Sequence, residues 1–388
     1  MSAGRAALSR DHARPVRTSG AIDVSNSINL EDWIVWPKDH FQKIFEEALD
    51  SKTDGELELP DEEPPDEKEL NGIIRSEIDK FSTAVSLQII KKAPFDRISY
   101  LIEYEQTEAL QQILLRKVWG LTFEQAKYQW FIARDTYSYV YKNHTSRFKK
   151  SKREAIGSII TRSLLVYREI LALCEAGFPD GAVARWRTLY ELYIVFLSIR
   201  KMGGKAYELF LVSEQMQKFR YQESLERQIG NSSKKFEALR KEIESLRRTY
   251  GIAITEDYGW ATICLNKKRV NLRDLEIFVG HELQRAEVKF VSKFIHAGHL
   301  SPDQFLAFPD WAGSLSPIVG PSPYGIQYPI NEAARTLTLL ALEIAGIKYT
   351  MDTIILSKAN VANYNKIENS IRISLRLLKL HTQEVNKR

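Results

Sequence analysis

Arg187 and Glu191 stand one helical turn apart inside Gly181-Ala-Val-Ala-Arg-Trp-Arg-Thr-Leu-Tyr-Glu-Leu-Tyr-Ile-Val-Phe-Leu-Ser-Ile199, a segment apolar on almost every side. A helix that is hydrophobic all round is buried, and charges are rarely buried unless paired. The spacing puts both charges on one strip with Ala184, Thr188, Ile194, Val195 and Ser198. Arg before Glu is the weaker order for a helical pair, so local helix stabilisation explains little. Two explanations stay open. The pair is a buried ion pair that fixes helix register, or Arg187 is a fixed cation for an anionic substrate with Glu191 orienting it.

A second constellation is Ser292 and His296, again at i and i+4, with Arg285 and Lys289 earlier on the same face and His299 just beyond. Histidine suits proton transfer near neutral pH, and Ser292 could hold its ring or a substrate oxygen. A hydrogen-bonded packing histidine is the alternative. His296 and His299 have no third ligand nearby, so neither a metal site nor a cofactor is expected.

The third feature is basic. Lys142, Arg147, Lys149, Lys150, Lys152 and Arg153 fall within twelve residues that contain no acid, after Tyr137, Tyr139 and Tyr141 and around Phe148. Lysine and arginine meet phosphates while aromatic rings stack on bases, so the run suits single-stranded nucleic acid. A solvated linker is the plainer reading.

The elements that must carry these residues are helices. Apolar residues recur at three and four spacing and no series of alternating strands appears, which predicts an all-α protein. We expect two helical bundles joined by the basic linker, with a long Pro/Gly-rich loop at 300–330 in the second. The predicted units are a disordered tail at 1–29, an N-terminal helical domain at 30–145 with an acidic loop at 50–69, and a C-terminal helical domain at 154–388. In the first, helices are predicted over 68–92, 97–118 and 123–143, with Asp96 as an N-cap and Gly120 as a stop. In the second they are predicted over 154–176, 180–201, 204–228, 233–250, 260–266, 271–297, 331–357 and 363–385.

With 44% hydrophobic residues the 388-residue chain can bury a large interior. A net charge of +5 permits an anionic partner without requiring one. Cys174 and Cys264 sit in apolar helical patterns, as reduced thiols of a cytoplasmic protein do. No apolar run is long enough to span a bilayer. Arg5, Arg10, Arg14 and Arg17, with Asp11 the single acid, fit a transit peptide or a tail, and Pro15 favours the tail.

Three landmarks carry a family resemblance: Arg187-Thr-Leu-Tyr-Glu191 after Glu175-Ala-Gly-Phe-Pro-Asp180, the pair Trp260-Ala261, and Phe290-Val-Ser-Lys-Phe-Ile-His296. Through them the stretch from about 161 to 352 resembles DUF5677, a helical family without an assigned activity. The resemblance implies a helical fold and the importance of these residues, and no reaction. A second resemblance is weak. Arg376-Leu-Leu-Lys-Leu-His381 has the Arg-to-His spacing of HEPN ribonucleases, but such spacings arise by chance about once or twice in a chain of this composition.

The leading expectation is an Arg187, Glu191, Ser292 and His296 pocket acting on a phosphate-containing ligand such as RNA, as a phosphodiesterase or nuclease. By analogy alone its role would be defence or toxicity. The rival is a non-catalytic helical scaffold or binding module in which the same residues form a buried polar network. A homo-oligomer is compatible with either.

Overall fold

The computed structural model describes residues 67–229, 234–282, 285–294 and 320–385, and these contain helices and no strand. The predicted tail, the acidic loop, His296, His299 and most of the 300–330 loop lie outside the described residues. In chain order the helices are α1 (Glu67–His144), α2 (Lys150–Glu175), α3 (Pro179–Met202), α4 (Lys205–Ile229), α5 (Lys234–Tyr250), α6 (Gly259–Leu265), α7 (Leu272–Val279), α8 (Arg285–Val291), α9 (Gln327–Ala345) and α10 (Met351–Val385). Short 3-10 turns occupy Ile252–Thr255 and Ser292–Phe294.

α1 is one helix of 78 residues where the sequence predicts three. At 1.5 Å per residue it is about 117 Å long. Gly120 does not stop it. A mid-helix glycine costs about 1 kcal/mol, and here Leu115, Val118, Trp119, Phe123 and Ala126 around it are all buried in the core, so packing outweighs propensity. The basic stretch expected as a linker is mostly helix, with only 145–149 as a turn. Core residues on both sides of that turn belong to one cluster.

α10 packs along α1, and buried amides fix their register. Gln129 Nε2 donates to Thr338 Oγ1 at 3.0 Å and to Asn360 Oδ1 at 2.9 Å, while Asn363 Nδ2 donates to Gln129 Oε1 at 3.0 Å. Such a network rewards one register, because any slip leaves buried amides unsatisfied.

α3 is central. It packs against α2, α4, α7, α8 and α9, and Trp186, Leu189, Tyr190, Ile194 and Ile199 are fully or almost fully buried. Pro179 opens it, its ring already at a helical φ. The turn before it depends on Gly177 at φ +84°, where a Cβ would lie 2.9 Å from Pro321 Cβ and 3.0 Å from Leu115 Cδ1. Only glycine fits that conformation and that approach. The Gly177 carbonyl accepts from the Ser322 amide at 2.9 Å, tying the hairpin to the start of the α9 segment.

Two other boundaries differ from expectation. The helix predicted over 271–297 is divided, because Gly280 takes φ +81° and closes α7. The predicted break between 357 and 363 falls instead at 346–350, before α10.

Candidate functional site

Arg187, Thr188, Glu191, Leu192 and Val195 share one face of α3, and that face is the wall of a cavity of about 380 Å³. α4 supplies Phe210, Glu214, Gln217 and Arg220 to the same cavity, the 3-10 turn and its exit supply Thr255, Glu256, Asp257 and Tyr258, α6 supplies Trp260, and α2 supplies Arg162. Arg187 and Glu191 therefore both line a cavity.

The two charges do not pair with each other. Glu191 Oε1 accepts a hydrogen bond from the Tyr258 hydroxyl. Arg187 makes no ion pair with any described residue, and its Nε is buried with no hydrogen-bond partner among them. A buried donor left without an acceptor costs about 1–3 kcal/mol. Arg220, across the cavity, is different: its Nη1 donates to Asp257 Oδ1 at 3.2 Å. Burial is the largest cause that pushes the Tyr258 phenol far above its ordinary range, and the neighbouring Glu191 charge and hydrogen bond add to it. Tyr258 thus stays protonated and donating.

Local backbone explains how Tyr258 reaches Glu191. Tyr258 sits at φ +54°, ψ +26°, a left-handed conformation uncommon for a bulky residue. Gly259 follows at a point so close to the 3-10 turn that a Cβ would lie 2.2 Å from the Ala253 carbonyl oxygen. Strain of this kind persists only where the surroundings impose it, and it collects at functional sites. Trp260 is buried and meets Phe210 edge to face with centroids 6.0 Å apart, which fixes the start of α6 against α4. The landmark Trp260-Ala261 is therefore the footing of this wall.

Ser292 stands elsewhere. Its hydroxyl donates to the Val288 carbonyl at 2.7 Å, and it is absent from the cavity lining. His296 lies outside the described residues. On another face of α3, Tyr193 and His281 Nε2 are 3.5 Å apart and the Tyr190 hydroxyl donates to the His281 carbonyl at 3.4 Å. Burial, then the Arg335 charge, lowers the His281 pKa, so its ring is neutral near pH 7. Among the described residues no cluster of three or more His, Cys, Asp or Glu could hold a metal ion, and no helix is long and apolar enough to cross a membrane.

The basic run does not act as one patch. Lys142, Arg147 and Lys149 are exposed, and Lys150 pairs with Glu154 at 3.8 Å. Lys152 turns inward over the Phe148 ring at 3.9 Å, beside a small apolar cavity of about 140 Å³ that Arg200 also lines. Burial and the Arg200 charge lower its pKa. Arg153 alone of the six faces an open groove of about 570 Å³ between α1 and α2, with Tyr137 and Tyr141. Tyr139 leaves the aromatic set, since its hydroxyl is bonded to Asp352. Arg376 and His381 line none of these cavities.

Sequence reasoning missed Tyr258, Arg162 and Arg220. Tyr258 is 67 positions from Glu191, and its only local signal is the Tyr-Gly step ahead of Trp260.

Residues 153–312 match the model of a family of unknown function, DUF5677. That span holds the landmarks around Arg187, Trp260 and Ser292, every residue of the 380 Å³ cavity and none of α9 or α10. No curated protein and no solved structure matches the chain.

Proposed function

We propose that the α3 cavity binds a phosphate ester and hydrolyses it. The observation that carries this reading is Arg187: a guanidinium without an ion-pair partner among the described residues, on the wall of a cavity, next to a carboxylate already held by Tyr258. A planar guanidinium matches phosphate oxygens in pairs, and an anion in the cavity would meet the terminal nitrogens of Arg187.

The neighbouring groups supply a balanced proton path. Water attacks phosphorus and gives its proton to Glu191 as the new P–O bond forms. The bond to the leaving oxygen breaks, and that oxygen takes the proton that Glu191 has just received, so Glu191 returns to a carboxylate held by the Tyr258 hydroxyl. Arg187 faces the charge that grows on the non-bridging oxygens, where electrostatic stabilisation contributes most. In the alternative, Glu191 and Tyr258 are a structural contact in a helical scaffold, which the satisfied Glu191 oxygen favours.

Hydrolysis of bis(p-nitrophenyl) phosphate by the full chain tests the proposal. Glu191→Gln and Arg187→Met are each expected to lose at least about 100-fold in rate with helical content unchanged. His296→Ala, measured beside them, tests the role that its spacing with Ser292 suggests. Wild-type rates in both the Glu191 and Arg187 variants would remove the cavity as the catalytic centre.

A further inference from the structure

The open groove between α1 and α2 and the α3 cavity meet at one residue, because Arg162 lines both. Arg153 stands at the far part of the groove, nine residues earlier on α2. At 1.5 Å per residue the two lie about 14 Å apart along the helix, the length of about four nucleotides of a stacked strand at 3.4 Å each. Neither makes an ion pair with a carboxylate among the described residues, and Arg187 beyond them makes none either. Glu154, the acid in the groove, has Lys150 as its neighbour at 3.8 Å.

Arg153 is not a loose surface cation. Its Nε donates to the Tyr141 hydroxyl at 2.8 Å, and its guanidinium lies 4.6 Å from the centre of the Tyr141 ring. That leaves the terminal nitrogens and the outer guanidinium face turned from Tyr141, ready for a phosphate or a base plane. Tyr137 packs behind Tyr141 with ring centres 5.4 Å apart, over Gly157, where a Cβ would lie 3.4 Å from the Tyr137 hydroxyl. On the groove floor, Ser158 donates its own proton to the Ala155 carbonyl at 3.2 Å, so its oxygen can accept one from a ribose 2′-hydroxyl.

We infer that the groove carries single-stranded RNA, running from Arg153 past Arg162 and delivering one phosphodiester to Arg187 in the cavity. This rests on the phosphate-ester reading of the cavity and gives that reading its substrate class. Single strands suit it because the arginines of the groove, Arg153 and Arg162, are spaced singly along α2. The cavity beyond sets Arg187 among Glu191, Glu214, Glu256 and Asp257, which leaves a cation for one phosphate rather than for a paired strand.

The test uses the full chain in two titrations. Inorganic phosphate, followed by calorimetry in wild type and Arg187→Met, reports the cavity as the part of the binding that Arg187→Met removes. A fluorescent single-stranded RNA of about 8 nucleotides, followed by anisotropy across a salt series, reports the whole path. Arg153→Ala and Arg162→Ala are each expected to weaken RNA binding by about tenfold and to reduce the slope of log K against log salt by about 0.7. Arg153→Ala leaves the Arg187-dependent part of phosphate binding unchanged, and the RNA competes better than DNA of the same sequence or a duplex. RNA affinity and slope unchanged in both variants, with phosphate still depending on Arg187, would overturn the groove and leave the cavity reading standing. Equal binding of DNA or duplex would overturn the RNA assignment. Phosphate binding that ignores Arg187 would overturn the cavity reading itself.

Discussion

At the scale of the residue, the pairing of charges departs from the simplest expectation. Arg187 and Glu191 share a helix face but not a bond, because Tyr258 takes the carboxylate from a left-handed turn at φ +54°. The sequence shows two charges in an apolar helix and therefore places the question correctly. It cannot show the answer, since the partner lies 67 positions away in a conformation that no local pattern encodes. Removing that partner has a definite expected cost. Tyr258→Phe keeps the ring and deletes the donor, so it is predicted to destabilise by about 1–3 kcal/mol in urea unfolding. A variant as stable as wild type would mean that Glu191 finds another donor.

At the scale of the element, glycine decides which sequence signals hold. Gly120 reads as a stop and is not one. A Cβ there meets nothing within 4 Å, so Gly120→Ala is expected to stabilise α1 by about 0.5–1 kcal/mol. Gly259 is the opposite case. A Cβ 2.2 Å from the Ala253 oxygen forces the backbone to move, so Gly259→Ala is expected to lower the melting temperature and to impair Arg187-dependent phosphate binding in the fraction that folds. Melting curves of the two variants should move in opposite directions, and a shift of both the same way would contradict the packing described. Most helix positions were legible from apolar spacing, α2 to α5 within a few residues. The joins were not. The continuity of α1 depends on core contacts of Leu115, Trp119 and Phe123 with distant helices, and the division at Gly280 depends on one left-handed residue.

At the scale of the whole molecule, buried phenols couple the helices around α3 to pH. Burial is the first cause in each, and it pushes Tyr193, Tyr328 and Tyr364 from 10.0 up to about 12, with nearby glutamates adding to the shift. The folded state holds these protons more tightly than the unfolded chain does, so their contribution to stability is complete below pH 10 and is lost as pH rises from about 10 to about 12. Phenolate absorbance is expected to show a late-titrating class of tyrosines that ionises together with loss of helical signal. A single class at the ordinary value, with helices intact, would contradict this.

Thermal unfolding of wild type and Arg187→Met, each with and without inorganic phosphate, separates an anion-binding guanidinium from a structural one. Arg187 gives up no pairing among the described residues when replaced, so the variant alone is expected to melt within a degree or two of wild type or above it. Phosphate in large excess over its Kd should raise the wild-type midpoint by roughly 5 °C and leave the variant unmoved. A variant that melts far below wild type, or one that phosphate stabilises equally, would show that Arg187 holds the fold together and binds no anion.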